Sequence, residues 1–164
     1  MGRRGLVVVL LSGLLFLIPE WNSTSAAQEG DGSASFKVVV HEDNPLDELP
    51  RETLTRMFLY QVRRWDFGDP KVENLPTDVV EHPEGATIRD DFAWKVHRRP
   101  PDNVKRFWMR VIFSGRGRQP PTRSNDKEIL EYIRERPGAV GYVAVDTPLL
   151  PGTKELRILD LKKK

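Results

Sequence analysis

The sequence predicts a single compact α/β domain in which a mixed sheet is flanked by about four helices. Short runs rich in β-branched residues alternate along the chain with segments whose apolar residues recur every three or four positions, which is the period of an amphipathic helix. Strands interleaved with helices in this way pair in parallel or mixed sheets. The chain has 164 residues, and a single domain commonly contains roughly 100–200.

The N-terminal residues 1–27 have the pattern of a secretory signal peptide, with two arginines before the apolar segment Leu6–Ile18. Ser25 and Ala27 supply the small residues that precede a cleavage site before Gln28. The alternative is an uncleaved membrane anchor, but the apolar segment is shorter than the roughly 20 residues that a spanning helix needs. We therefore expect cleavage, a periplasmic or secreted location in a bacterium, and no stable membrane span afterwards.

The mature chain is expected to consist of one domain between two short polar ends. Residues 28–35 are small, polar and rich in glycine, which predicts a flexible lead-in. Residues 36–161 form the domain, and 162–164 form a solvated basic tail. The chain contains no cysteine, which fits a bacterial periplasm better than a eukaryotic secretory route, where small domains are often linked by disulfides.

The first half of the domain is predicted to contain a strand, a helix and a second strand. Val38–Val40 lie within the strand 36–41 and are apolar without alternation, as in a strand covered on both faces. Pro50 suits the first position of the helix, whose apolar stripe is Leu54, Met57 and Phe58. Residues 78–82 form the second strand, which Pro83 ends.

The second half is predicted to add three helices and two strands. A helix over 86–96 has apolar residues four positions apart on one face, namely Ile88, Phe92 and Val96. Short polar side chains cap the next two helices: Asp102 or Asn103 in the third, and Asn125 or Asp126 in the fourth. The apolar faces of these helices are Val104, Phe107, Trp108, Val111 and Ile112, and Ile129, Leu130 and Ile133. Strands over 139–145 and 156–161 complete the domain.

Composition and motifs argue against several classes of protein. A formal net charge of +2 differs from the concentrated basic charge of a nucleic-acid binder, so we expect no nucleic-acid partner. His41, His82 and His97 have no metal-ligand spacing, and no G-x-S-x-G nucleophile motif is present. Asp90 and Asp91 are adjacent on a helix, so their side chains diverge, unlike a catalytic carboxylate pair. We expect no catalytic residue, metal or cofactor, and therefore not an enzyme.

A candidate anion site lies where the strand 78–82 gives way to a helix. Gly85, Ala86 and Thr87 precede or open that helix, where free N–H groups and the helix dipole attract an anion. Thr87 adds a hydroxyl group and Arg89 adds a guanidinium group. The alternative is an ordinary glycine-containing turn with a solvated arginine.

A second candidate lies after the third helix, in the segment 114–118. Ser114, Arg116 and Arg118 are separated by glycines, and such a loop can bind phosphate, a carboxylate or the acidic edge of a protein. The alternative is a helix-ending surface loop in which Gly115 or Gly117 has a positive φ.

Three segments carry a resemblance: Leu49–Leu59 with Trp65 six residues later, Phe113–Gly117, and Pro137–Tyr142. In the same order, they resemble stretches of phosphate-transport substrate-binding proteins, the PstS-like group of the type 2 periplasmic-binding-protein superfamily. The first is similar to the stretch L-s-x-e-x-L-x-x-I-F-l-G-x-x-x-x-W, and the last to p-G-A-I-G-Y. From the first to the last, these segments span most of residues 36–145.

The resemblance implies two α/β lobes that hold an oxyanion in the cleft between them, of which this chain has the length for one. In the family, a Ser-Gly-Thr turn at a helix N-terminus binds phosphate; Gly85-Ala86-Thr87 stands at that place, so the hydroxyl of Thr87 is kept and the serine is lost. The arginine that precedes the turn in the family is lost here, and Glu81 lies nearby instead.

The function predicted is that of an exported, non-enzymatic binding domain that holds phosphate or a related oxyanion weakly. The alternative is a protein-interaction or structural module of an envelope complex that has lost ligand binding.

Overall fold

The computed structural model describes residues 35–65 and 75–159. The predicted signal peptide at 1–27, nearly all of the lead-in, the basic tail at 162–164 and the last two residues of the predicted domain lie outside the described residues. No helix within the described ranges is long and apolar enough to cross a membrane.

A five-stranded mixed sheet forms the centre of the domain. The strands are β1 (Phe36–His41), β2 (Glu48–Pro50), β3 (Arg64–Trp65), β4 (Leu75–Pro76), β5 (Asp78–Val79), β6 (Ala139–Ala144) and β7 (Thr153–Leu159). The order in the sheet is β2-β7-β1-β6-β5, while β3 and β4 form a separate pair. β1 is antiparallel to both of its neighbours, and the outer strands β2 and β5 are parallel to theirs. The mixed pairing agrees with the predicted fold class.

Helices cover both faces of the sheet. They are α1 (Arg51–Phe58), α2 (Thr87–Phe92), a π-helix (Ala93–His97), α3 (Pro101–Phe113) and α4 (Asp126–Arg134). Val38 and Val40 pack with α1, α2 and the π-helix on one face, and Val39 packs with α4 on the other. The prediction that Val38–Val40 are covered on both sides is confirmed, since all three are buried. α3 forms an outer layer and packs through Val104 and Trp108.

Two of the predicted helix starts differ from the structure. Pro50 is the residue before α1 rather than its first residue, because it also ends β2. α3 begins at Pro101, so neither Asp102 nor Asn103 caps it; a proline at the first position already lacks the N–H group that a cap would satisfy. At α4 the predicted cap is confirmed, because the side chain of Asn125 accepts a hydrogen bond of 3.0 Å from the N–H of Glu128.

The helix predicted over 86–96 changes its geometry after Phe92. The wider π-helical turn follows and ends at Arg98, which has a left-handed φ of 54°. Phe92 and Val96 are nevertheless buried together, as the spacing predicts. On α3 the predicted apolar face is only partly correct, because Ile112 is exposed.

Candidate functional site

A cavity of about 210 Å³ lies where the chain passes from β5 into α2. Its polar wall comes from five parts of the chain: the segment after β5, α2, the end of the π-helix, the start of α3, and Gln119 between α3 and α4. The residues that give the wall its chemistry are Glu81, Glu84, Gly85, Arg89, His97 and Lys105. Phe92, Ala93 and Val104 supply an apolar surface beside them.

The segment that follows β5 is held in place from both sides. The backbone of Glu81 exchanges hydrogen bonds of 3.0 and 2.9 Å with the segment 121–123. The Nε2 atom of His82 lies 3.2 Å from Oδ1 of Asp126 at the start of α4. Gly85, with a φ of +86°, then turns the chain into α2, a conformation that a residue with a Cβ atom adopts only at a cost. The position of the cavity wall is therefore set by packing against α4 and not by the turn alone.

Arg89 forms a buried ion pair with Glu81. Its Nη2 atom lies 2.9 Å from Oε2 of Glu81, and its Nη1 atom donates a 3.1 Å hydrogen bond to the backbone oxygen of His82. The Glu81 side chain is 3% exposed and that of Arg89 is 15% exposed. Burial raises the pKa of Glu81 to about 7, although the charge of Arg89 opposes the shift. The guanidinium group is thus fixed in orientation, and its charge is fully balanced only when Glu81 is ionised.

His97 places a neutral imidazole in the same wall. Burial lowers its pKa to about 4, and the positive charges of Arg99, Arg89 and Arg51 add to the shift. Its Nδ1 atom is buried and has no hydrogen-bond partner within the part of the chain that the structure describes. Buried polar groups are rarely left unpaired, and a ligand in the cavity reaches this atom only if the wall around it moves.

Carboxylates outnumber cations around the cavity. Lys105 forms an ion pair with Glu84 at its exposed edge, so both cations of the wall, Arg89 and Lys105, already have a carboxylate partner. Asp90 and Asp102 also line the cavity. Across residues 35–65 and 75–159, no three His, Asp or Glu side chains come together as a metal site requires. An anion bound here has to compete with carboxylates for its cationic partners, which makes a weak site.

The structure places the predicted site residues in two separate regions. Gly85 and Arg89 line the cavity, whereas Ala86 precedes α2, Thr87 begins it, and neither lines the cavity. The second set, Ser114, Arg116 and Arg118, is exposed beyond the end of α3 and outside this cavity. Gly115 there has a φ of +66°, as in the alternative of a helix-ending loop.

Two residues of the cavity wall, His97 and Lys105, have no place in the predicted site. His97 lies in the π-helix and Lys105 lies in α3. Both elements follow α2 in sequence, and the fold brings them next to the start of α2.

Comparison with known proteins finds similarity in structure only. No protein-family model and no curated protein sequence matches the chain. A phosphate transport receptor from Vibrio cholerae aligns with a TM-score of 0.57 and 16% identity, over 76% of this chain and 46% of the receptor. A putative phosphate ABC transporter substrate-binding protein from Clostridium perfringens, with bound phosphate, gives 0.54 and 14% over 76% and 44%. PstS from Borrelia burgdorferi gives 0.59 and 9% over 79% and 49%.

The fold matches a single lobe of a periplasmic-binding-protein-like fold. The predicted fold class is confirmed by this match and by the mixed sheet with the four α-helices of the described residues. The chain spans less than half the length of these three structures, and at such low identity the match establishes the fold and not the ligand. All the groups that line the cavity described above come from this one lobe.

The titration of Glu81 and His97 gives the single lobe a testable pH profile. The pKa of Glu81 is about 7 in the folded state and 4.5 for the ordinary group. The free energy of unfolding therefore decreases as the pH rises from 4.5 to 7. The folded state resists protonation of His97 until pH 4, against an ordinary pKa of 6.5, so stability is lost as the pH falls. Each effect amounts to about 3 kcal/mol, and between pH 4.5 and 6.5 the two oppose each other.

We expect His97→Gln to reduce the loss of stability on the acid side, so that its free energy of unfolding rises relative to that of the parent as the pH falls from 6.5 to 4. Urea unfolding at half-unit pH intervals measures both profiles. Burial also lowers the pKa of His82, but that residue is present in both proteins, so the difference between the profiles isolates His97. Parallel profiles for the two proteins would show that His97 has an ordinary pKa in the folded state.

Proposed function

We propose that this chain is an exported, non-enzymatic binding domain of PstS-like type that holds phosphate or a related oxyanion weakly in the cavity at the start of α2. The observation that carries this proposal is the fixed guanidinium group of Arg89 in the cavity wall. Two hydrogen bonds orient it in the absence of a ligand, so binding of an oxyanion would carry a smaller cost in side-chain entropy. The structural neighbours named as phosphate receptors support the choice of ligand class.

The neutral side chain of His97 fits the same ligand. Its unpaired Nδ1 atom can donate a hydrogen bond to an oxyanion when the ring carries its proton on that nitrogen and the wall opens to expose it. Because His97 stays neutral down to about pH 4, it adds a hydrogen bond without adding charge. Arg89 therefore supplies the only cationic attraction from the buried part of the wall as far as the described residues go.

Glu81 makes the proposed site weak and dependent on pH. Above pH 7 its carboxylate balances the charge of Arg89 and repels an anion, whereas below pH 7 it is protonated. Affinity should therefore increase as the pH falls through 7. Export is proposed from the signal-peptide pattern of residues 1–27, and a binding role without catalysis is in keeping with neighbours that are transport receptors.

Calorimetric titration of the mature chain with sodium sulfate at pH 6 and pH 8 tests the proposal. Sulfate remains a dianion at both pH values, so a change in its affinity reports on the protein and not on the ligand. We expect millimolar binding that is up to about tenfold tighter at pH 6, because a group with a pKa of about 7 is mostly protonated at the lower pH. Phosphate and small carboxylates are titrated alongside to rank the ligands.

Two variants and a control make the titration specific. Arg89→Lys should weaken sulfate binding at both pH values, and Glu81→Gln should abolish the difference between them. Arg157→Lys alters an exposed arginine paired with Glu48 and should change neither. Absence of heat with phosphate, sulfate and carboxylates at tens of millimolar would rule out the anion site and leave the protein-interaction alternative.

A further inference from the structure

The outward side of α3 carries a second feature that the proposed anion site does not use. Seven residues line a shallow groove there: Arg99, Asn103, Arg106, Met109, Arg110, Phe113 and Ser114. We call this groove the α3 face. It is separate from the cavity, because none of its residues lines both.

The α3 face exposes apolar side chains that the fold leaves uncovered. Phe113 is 83% exposed and Met109 is 45% exposed. The opposite side of α3 is already packed, since Val104 and Trp108 contact Leu59 and Ala93. α3 thus has apolar residues on two sides, and the core of the domain accounts for only one of them. Adjacent exposed apolar side chains among polar ones are typical of a binding surface.

The charge of the α3 face has one sign. Its charged residues are Arg99, Arg106 and Arg110, and no carboxylate lines the groove. Within residues 35–65 and 75–159 none of these three guanidinium groups forms an ion pair, and Arg106 instead donates a hydrogen bond to Asn103. Arg116 and Arg118 continue the basic surface beyond the helix end. In a chain with a net charge of only +2, such a local excess calls for negative charge on whatever covers it.

We infer that the α3 face docks an acidic protein segment that contains at least one large apolar side chain. The cations are all arginines, whose planar fork matches the two oxygens of a carboxylate. Arginine, methionine and aromatic residues are the types enriched at protein interfaces, where lysine is depleted. The exposed ring of Phe113 beside Met109 supplies the apolar anchor. A groove also suits a peptide segment better than the flat surface of a bilayer. The inference stands independently of anion binding in the cavity.

Selection of random 12-residue peptides displayed on phage tests this inference without knowledge of the natural partner. We expect the mature chain to enrich peptides that combine several Asp or Glu residues with a Phe, Trp, Leu or Ile residue. A synthetic copy of an enriched peptide should bind at least tenfold more weakly to Arg106→Ser/Arg110→Ser and to Phe113→Ser. Lys127→Ser/Arg157→Ser removes the same charge from exposed sites elsewhere and should bind the peptide as the parent chain does.

Several results would overturn the inference. Enriched peptides without acidic residues, or equal binding to all variants, would remove the α3 face as their site. Binding of the parent chain to vesicles containing 30% phosphatidylglycerol, with loss in the same α3 variants and no acidic peptide enriched, would assign the face to a membrane surface. Sulfate titration separates the two sites: Arg106→Ser/Arg110→Ser should keep sulfate affinity, and Arg89→Lys should keep peptide affinity.

Discussion

Gly138→Ala is expected to lower the free energy of unfolding by about 3–5 kcal/mol, through overpacking and the loss of hydrogen bonds. A Cβ atom at this position would lie 2.1 Å from the backbone oxygen of Pro76, so β4 or the turn before β6 must move. The backbone oxygen of Gly138 accepts hydrogen bonds of 2.9 Å from Nε1 of the buried Trp65 and from the N–H of Asp78. Any shift of Gly138 therefore disturbs a core tryptophan and the start of β5 together.

Gly117→Ala is the matched control for this substitution. A Cβ atom there would meet only Cγ1 of Val111 at 3.3 Å, a side-chain atom that can give way, so we expect a change within about 0.5 kcal/mol. Urea unfolding followed by far-ultraviolet circular dichroism and by tryptophan fluorescence measures both variants. A Gly138→Ala protein within 1 kcal/mol of the parent would contradict the close approach of Gly138 to β4.

The sequence predicted correctly those elements that a local pattern specifies, such as an apolar stripe on a helix or a capping side chain. The stripe of Leu54, Met57 and Phe58 is buried as its spacing requires, and Asn125 caps α4 as its chemistry requires. By contrast, β2, β3 and β4 contain two or three residues each. A segment that short has no periodicity to detect, and its strand conformation comes entirely from its neighbour across the sheet.

The candidate site was predictable only where it depends on a helix start. Gly85 and Arg89 belong to the turn into α2, and that turn can be recognised from the sequence. His97 enters the wall because the helix widens into a π-turn, and Lys105 enters it because α3 folds back after Pro100-Pro101. A histidine in the last turn before two arginines and two prolines was the available signal, but nothing in that spacing indicates burial.

Arg89→Met is expected to cost about 3–5 kcal/mol of folding free energy at pH 8, through lost packing and hydrogen bonds and through the roughly 1 kcal/mol needed to protonate Glu81 once its partner is gone. At pH 5 the cost should be smaller by about 1 kcal/mol. Glu81 is already protonated in the folded state below its pKa of about 7, so the group that loses its ion pair there is neutral. The dependence on pH distinguishes loss of charge balance from loss of packing, since packing around the side chain is the same at both values.

A double-mutant cycle with Glu81→Gln measures the coupling directly. Glu81→Gln alone should cost less than Arg89→Met, because the more exposed guanidinium group retains its hydrogen bond to His82 and some contact with solvent. The double variant should recover the part of the Arg89→Met loss that depends on pH, since no unpaired carboxylate then remains. Arg157→Met breaks a surface ion pair with Glu48 and should cost less than about 1 kcal/mol at either pH.

The outcome of this cycle also bears on how Arg89 can serve a ligand. If the coupling energy is larger at pH 8 than at pH 5, Arg89 forms its ion pair with Glu81 in alkaline solution and can pair with another anion in acid. An oxyanion would then balance the charge of Arg89 in place of the Glu81 carboxylate, which is protonated. Binding would therefore not break a stabilising ion pair of the folded state. Additive effects that are equal at both pH values would mean that the interaction between Glu81 and Arg89 does not change with protonation in this range. Acid would then not free Arg89 to bind an anion. The α3 face would be the stronger candidate for the binding surface of this domain.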